Sequence, residues 1–208
     1  EDARAFSEGA TLAHPSVLLT FDDGFADIAD TVAPLLARYG FSASVFLPTA
    51  YIGEPRREFL GRPCLTWAEV RDLHAAGIEF GSHTVSHPKL VELDRDERRR
   101  ELTESAARIR GELGEAVAAF SYPYAFPEGE EEFIAEYRAM LRDTGYRVAV
   151  TTRIGSAVSG DDPLLLRRLP INSADDLKLF AAKVGGAYDW MQAPQRLGKR
   201  VKAWMARR

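Results

Sequence analysis

Cysteine is nearly absent: Cys64 is the one thiol in 208 residues. That excludes an intramolecular disulfide and any metal site built from several thiolates, and it leaves the redox compartment open. We read Cys64 as a structural or bystander thiol. Long apolar runs are missing too. No stretch approaches the roughly eighteen apolar residues of a membrane span, and no basic leader followed by an apolar run opens the chain. Glu1 rather than Met comes first, which is compatible with a removed leader, so neither the cytoplasm nor export follows. Positive charge is not in excess: 27 Lys and Arg against 31 Asp and Glu give a net charge of -4, which argues against a nucleic-acid binder. Repeats and low-complexity linkers are lacking, which predicts one domain over 1–208. Histidine is scarce, with four in the chain and none after His87.

What is present has ordinary globular proportions, 46% hydrophobic and 28% charged. A chain of this length buries roughly 70% of its unfolded surface. Apolar, β-branched runs at 16–21, 42–47, 78–82, 118–122, 146–151 and 164–169 read as strands. Amphipathic segments at 27–39, 67–76, 95–111, 130–144 and 174–184 read as helices. Thr66, Asp94 and Ser173 stand at cap positions, and Gly40, Gly77 and Gly145 each precede a strand. The alternation predicts an α/β fold with largely parallel strands.

Two acidic side chains close the first strand in Thr20-Phe21-Asp22-Asp23-Gly24, and two imidazoles follow the third in His83-Thr84-Val85-Ser86-His87. Alone, Asp-Asp-Gly is also an ordinary turn with a helix cap. Histidines four apart share a helical face or a short turn, and Pro88 points to the turn. In combination, one carboxylate and two imidazoles make a three-ligand set that leaves positions open, as a catalytic rather than a structural metal requires. The second carboxylate is then free to act as a base. All of these residues, with Tyr124, fall just after strands, where the active sites of β/α folds gather.

These motifs resemble those of the polysaccharide deacetylases, carbohydrate esterase family four. Residues 20–24 match the family's first motif in full and 83–87 its second. Leu65-Thr66-Trp67 and the run from Gly77 to Ser82 resemble its approach to the second motif, and the likeness covers about 16–185. The resemblance implies a distorted (β/α) barrel with fewer than eight strand units. It implies a divalent metal, most commonly zinc, with cobalt, nickel or manganese as alternatives, held by Asp23, His83 and His87. Asp22 becomes the general base, and the backbone N–H of Tyr124, in Ser121-Tyr122-Pro123-Tyr124, the oxyanion donor. The implied activity is removal of acetyl groups from N-acetylated sugars of an oligo- or polysaccharide. O-acetyl esters and other non-peptide C–N bonds are alternative substrates within the family, and a glycan-binding protein of weak turnover is a further reading.

The sequence departs from the family pattern twice. Ser121 stands where the family commonly has an arginine that pairs with the catalytic aspartate, and the late leucine-x-histidine motif that supplies its general acid is absent. His14 precedes the first strand and His74 lies within a helix, so neither replaces it. Arg167 and Arg168 close the last strand, where alternation directs one of the two inward. Arg168 is the expected compensating cation for Asp22 or a substrate contact, with a salt bridge elsewhere as the alternative. An arginine is too basic to donate the missing proton, which leaves Asp22 or a water to return it. The 54–64 loop is a candidate groove wall. Tyr51, Phe59, Trp67 and Phe126 are either sugar-stacking faces or packing. The basic tail over about 195–208 carries Val201, Trp204 and Met205 at helical spacing and is expected to dock as a helix.

Overall fold

The computed structural model describes residues 16–191, so His14 and the 195–208 segment lie outside the described residues. In chain order the strands are β1 (Thr20–Phe21), β2 (Ser44–Leu47), β3 (Glu58–Phe59), β4 (Arg62–Pro63), β5 (Glu79–Ser82), β6 (Ala119–Ser121), β7 (Val148–Ile154) and β8 (Leu166–Arg168). Six of them form one parallel sheet in the order β1-β2-β5-β6-β7-β8, and β3 and β4 pair as an antiparallel hairpin inside the 54–64 segment. Each crossover advances one strand in the same direction. The sheet therefore curls into a half-barrel, the distorted (β/α) barrel expected from the motifs, with β1 and β8 as its two edges among the described residues.

The first strand is shorter than the apolar run 16–21, because Val17 and Leu18 are exposed and only Thr20 and Phe21 pair with β2. The helices are α1 (Ala33–Tyr39), preceded by a π-helical turn at Ile28–Val32, α2 (Trp67–Ala75), α3 (Arg95–Leu113), α4 (Glu131–Thr144) and α5 (Leu177–Val184). Both α2 and α3 open with capping boxes, Thr66 with Glu69 and Asp94 with Glu97. Two expected boundaries move. Helix α3 runs past Gly111 to a left-handed Gly114, because ion pairs from Arg71 and Arg108 to Glu112 hold its last turn. Helix α5 starts after Asp176, whose carboxylate accepts the Leu179 N–H at 2.7 Å, rather than after Ser173. Asn172 and Asp175 close a turn of their own just before it.

Strand alternation sorts the core. On β2, Val45 and Leu47 face Trp67, Val70 and Ile78 in one cluster, and a second cluster packs Phe120 with Leu102, Tyr137 and Leu141 of α3 and α4. Phe46 points the other way and joins Val150 and Leu166 in a third buried cluster, on the concave side of the curl. Arg168 lies two residues beyond Leu166 and shares its face. Arg167 faces away and pairs with Asp161.

Candidate active site

The loop after β1 places both carboxylates. Asp23 is left-handed (φ 71°) and so is Gly24 (φ 59°). A Cβ on Gly24 would lie 2.7 Å from Leu47 Cδ2, so this position needs glycine for space as well as for backbone freedom. Asp22 turns to the β8 edge. Its two oxygens accept from Arg168 Nη1 at 2.9 Å and Nη2 at 2.8 Å, a fork-on-fork pair. Arg168 Nη2 also reaches Ser121 Oγ at 3.2 Å, and its Nε donates to the Thr151 carbonyl at 3.0 Å. The guanidinium thus lies against the hydroxyl of Ser121. Burial pushes the Asp22 carboxyl up, but His83 when it is protonated, the charge of Arg168, and hydrogen bonds from Arg168 and Ser121 outweigh it and hold the group below its ordinary value.

Asp23 faces the histidines. Its Oδ1 lies 3.6 Å from His83 Nε2 and 3.6 Å from His87 Nε2, too far for hydrogen bonds. That oxygen is buried and has no partner. One donor atom from each of the three residues lies within 4.8 Å of the others. A tetrahedral ion with bonds of about 2.0–2.2 Å separates its ligand atoms by roughly 3.4 Å, so this group has the spacing of a cation cage. Protonation agrees with that fit. His83 Nδ1 donates to the Ser121 carbonyl at 2.8 Å, which turns the lone pair of Nε2 toward Asp23. Burial lowers the pKa of both His83 and His87, favouring the neutral imidazole that metals bind. Burial and the neighbouring Asp22 charge raise that of Asp23, a repulsion that a bound cation would relieve.

The 83–87 segment is a turn, not a helix, and its backbone is unusual. Thr84 (φ 71°) and His87 (φ 55°) are left-handed, as is Tyr124 (φ 58°) on the loop after β6. With Asp23, four of the five left-handed non-glycine residues described gather here. Each costs of order 1–3 kcal/mol and persists only where its surroundings hold it. The ring of His87 sits between Phe59 of the β3–β4 hairpin, with centroids 4.9 Å apart, and Tyr124, at 4.6 Å. The Tyr124 loop is tied to the end of β7. Phe126 N–H donates to Thr152 Oγ1 at 2.8 Å, and Arg153 forks onto the buried Glu128 at 2.9 and 3.1 Å while covering the Phe126 ring.

Of the residues singled out from sequence, Asp22, Asp23, His83, His87, Tyr124 and Arg168 converge at the carboxyl ends of the strands. The other described residues settle into packing and structural roles. Phe59, Trp67 and Phe126 are buried and cannot stack on a sugar, whereas Tyr124 is 48% exposed beside the site. His74 bonds near the Ile78 carbonyl and Glu115, before β5 begins, at the opposite end of the strand from His83. Cys64 is fully buried, and burial pushes its thiol up to about 11, so it is inert.

Residues 9–149 match the family model described as polysaccharide deacetylase. The chain belongs to that family. Among its relatives, YxkH of Bacillus subtilis (strain 168), a protein named provisionally as a polysaccharide deacetylase, is 27% identical over 168 residues. That alignment takes in 81% of this chain and 56% of YxkH, so the chain spans little more than half the length of this relative. In three dimensions it is similar to the Streptococcus pyogenes deacetylase PplD in complex with acetate, with TM-score 0.75 and 24% identity over 88% of this chain and 76% of the other. IcaB from Ammonifex degensii superposes with TM-score 0.71 at 21% identity, covering 88% of each chain. At these identities the likeness is one of fold. The family match ends at residue 149, before β8, so Arg168 lies beyond it.

Proposed function

We propose that this polysaccharide deacetylase family member is a metal-dependent hydrolase that removes acetyl groups from N-acetylated sugars of an oligo- or polysaccharide. The observation that carries the reading is the division of two adjacent carboxylates: Asp22 is locked to Arg168, and Asp23 is turned to two neutral imidazoles. Asp23, His83 and His87 would hold the ion, zinc by the nature of the donors, with cobalt, nickel or manganese as substitutes. A divalent cation there supplies Lewis acidity, polarising an acyl carbonyl and acidifying water.

Asp22 is the general base. Arg168 keeps it ionised at neutral pH and fixes its plane, and each carboxylate oxygen retains a lone pair to accept the proton of the attacking water. Tyr124 presents its backbone N–H to the developing oxyanion, from a loop whose anchors fix it in advance. Asp22 then returns its proton to the departing nitrogen, which closes the cycle. A second reading follows from that double duty of Asp22. An amine cannot leave unprotonated, whereas a sugar alkoxide is a far better leaving group, so a site in which one carboxylate serves as both base and acid also suits O-acetyl esters.

Acetate release from N-acetylglucosamine oligomers and from O-acetylated sugars, with zinc, cobalt or chelator and with Asp22→Asn as control, tests both. Metal-dependent release from the oligomers, abolished in the variant, is expected. Release from esters alone selects the second reading, and no release from either while one equivalent of metal is bound overturns both in favour of a glycan-binding protein.

A further inference from the structure

In the turn that carries His83 and His87, the carbonyls of Thr84 and Val85 accept from the backbone N–H groups of Thr49 and Ala50 at 3.1 and 2.9 Å, but the N–H groups from Thr84 to His87 are all held by side chains. Thr84 N–H donates to Ser82 Oγ at 3.1 Å, Val85 N–H and Ser86 N–H both donate to Glu101 Oε2 at 2.7 and 2.9 Å, and His87 N–H donates to Thr84 Oγ1 at 3.0 Å. The second oxygen of Glu101 accepts from Ser86 Oγ at 2.6 Å. Four consecutive backbone donors, none in a ladder or helix, therefore find acceptors on three side chains. Two of those acceptors lie within the turn or beside it. Glu101 alone comes from elsewhere, the second turn of α3.

Helix α3 is a rigid support for it. Leu102 and Ile109 are fully buried, and Ser105, one turn beyond Glu101, bonds Ser82 Oγ at 2.7 Å in the interior. The two residues four apart on one face thus grip both ends of the turn: Ser105 acts through Ser82, and Glu101 acts directly. Hydrogen bonds to a carboxylate are the strong kind, and three of them converge on a segment whose Thr84 and His87 would otherwise leave the left-handed region.

We propose that Glu101 is a positioning residue for the metal site, setting the separation of His83 and His87 and so the affinity and coordination geometry of the ion. The proposal rests on the reading of Asp23, His83 and His87 as ligands. It assigns no proton transfer to Glu101. The carboxylate acts through the backbone between the ligands, as an outer support whose loss costs about 10–100-fold in metal affinity.

The test is titration of chelator-stripped protein with Co²⁺, following the visible spectrum and competition with a chelating dye, alongside thermal melts. The proteins compared are wild type, His83→Ala, Glu101→Ala, Glu101→Gln and Glu104→Ala, the last an exposed acid on the same helix. Wild type and Glu104→Ala should bind one equivalent alike, and His83→Ala none. Glu101→Ala should bind about 10–100-fold more weakly with a changed spectrum, and Glu101→Gln, which keeps an acceptor for the two N–H groups, should lose less. Wild-type affinity within about twofold and an unchanged spectrum in Glu101→Ala, with His83→Ala dead, would overturn the role of Glu101 alone. If Glu101→Ala does not fold, unchanged affinity and spectrum in Glu101→Gln overturn it. Absence of binding in wild type, or equal binding in His83→Ala, would overturn the metal-site reading and the proposal with it.

Discussion

Arg168 and Asp22 stand 146 residues apart and close the open side of the half-barrel with two parallel hydrogen bonds of 2.9 and 2.8 Å. One belongs to the last strand of the sheet and the other directly follows the first. Among the described residues no backbone ladder joins those two edges. The side chain that tunes the proposed base is thus also the strap across the seam.

Asp22→Asn should bind metal as wild type does and lose at least about a hundredfold in kcat, the usual scale for a general base. His83→Ala should lose the metal. Metal analysis of both purified variants beside their turnover numbers checks this, and equal metal loss in the two would refute the separate duties of Asp22 and Asp23.

Arg168→Ala removes the guanidinium and leaves the burial, so the Asp22 carboxyl must rise. The acid limb of kcat/KM should move to higher pH, and Arg168→Lys should recover little of it, because a point charge cannot replace a fork. Stability has the same origin. A depressed folded-state pKa contributes stability that is present above about pH 4 and is lost as pH falls through the depressed value. The gap in Tm between wild type and Arg168→Ala should therefore be widest near neutrality and close in acid. A gap independent of pH would count against the pairing.

Gly24→Ala should destabilise the fold by about 2–4 kcal/mol, from left-handed strain and from crowding against Leu47. Denaturant midpoints check it. Metal affinity should fall too, since the same turn aims Asp23.

Arg153→Ala leaves Glu128 buried without its partner, a loss of about 3–5 kcal/mol for a pair of this kind. In the surviving folded fraction, kcat should fall more than KM rises, because the Tyr124 N–H is proposed to serve the transition state rather than the bound substrate. Steady-state kinetics below the melting range separates the two, and a change in KM alone would deny Tyr124 that role.

The legible parts of the sequence were those whose chemistry is local. Asp22-Asp23-Gly24 and the paired histidines are short motifs, and Gly40, Gly77 and Gly145 mark turns that need positive φ. Arg168 could be singled out because strand alternation sends only one of two adjacent arginines inward. The supports were not readable. Glu101 sits in a helix full of charges, with nothing to separate it from Glu97 or Glu104 until the fold brings it under the histidine turn. Phe59 read equally as packing or as a platform for sugar, and only the hairpin, which buries it against His87, decides for packing. The end of α3 escaped because a glycine inside a helix and a glycine at its cap look alike, and only the ion pairs to Glu112 decide between Gly111 and Gly114.

The strap across the seam also sets an order of events in synthesis. A growing chain that has emerged as far as β7 already contains Asp22, Asp23, both histidines and Tyr124, yet Asp22, the proposed base, lacks the cation that holds it. Only when β8 leaves the ribosome and docks does Arg168 arrive. Completion of the sheet and the arrival of the cation beside the proposed base are then a single act, so a chain cut short before residue 168 would carry Asp22 without the side chain that holds it in place.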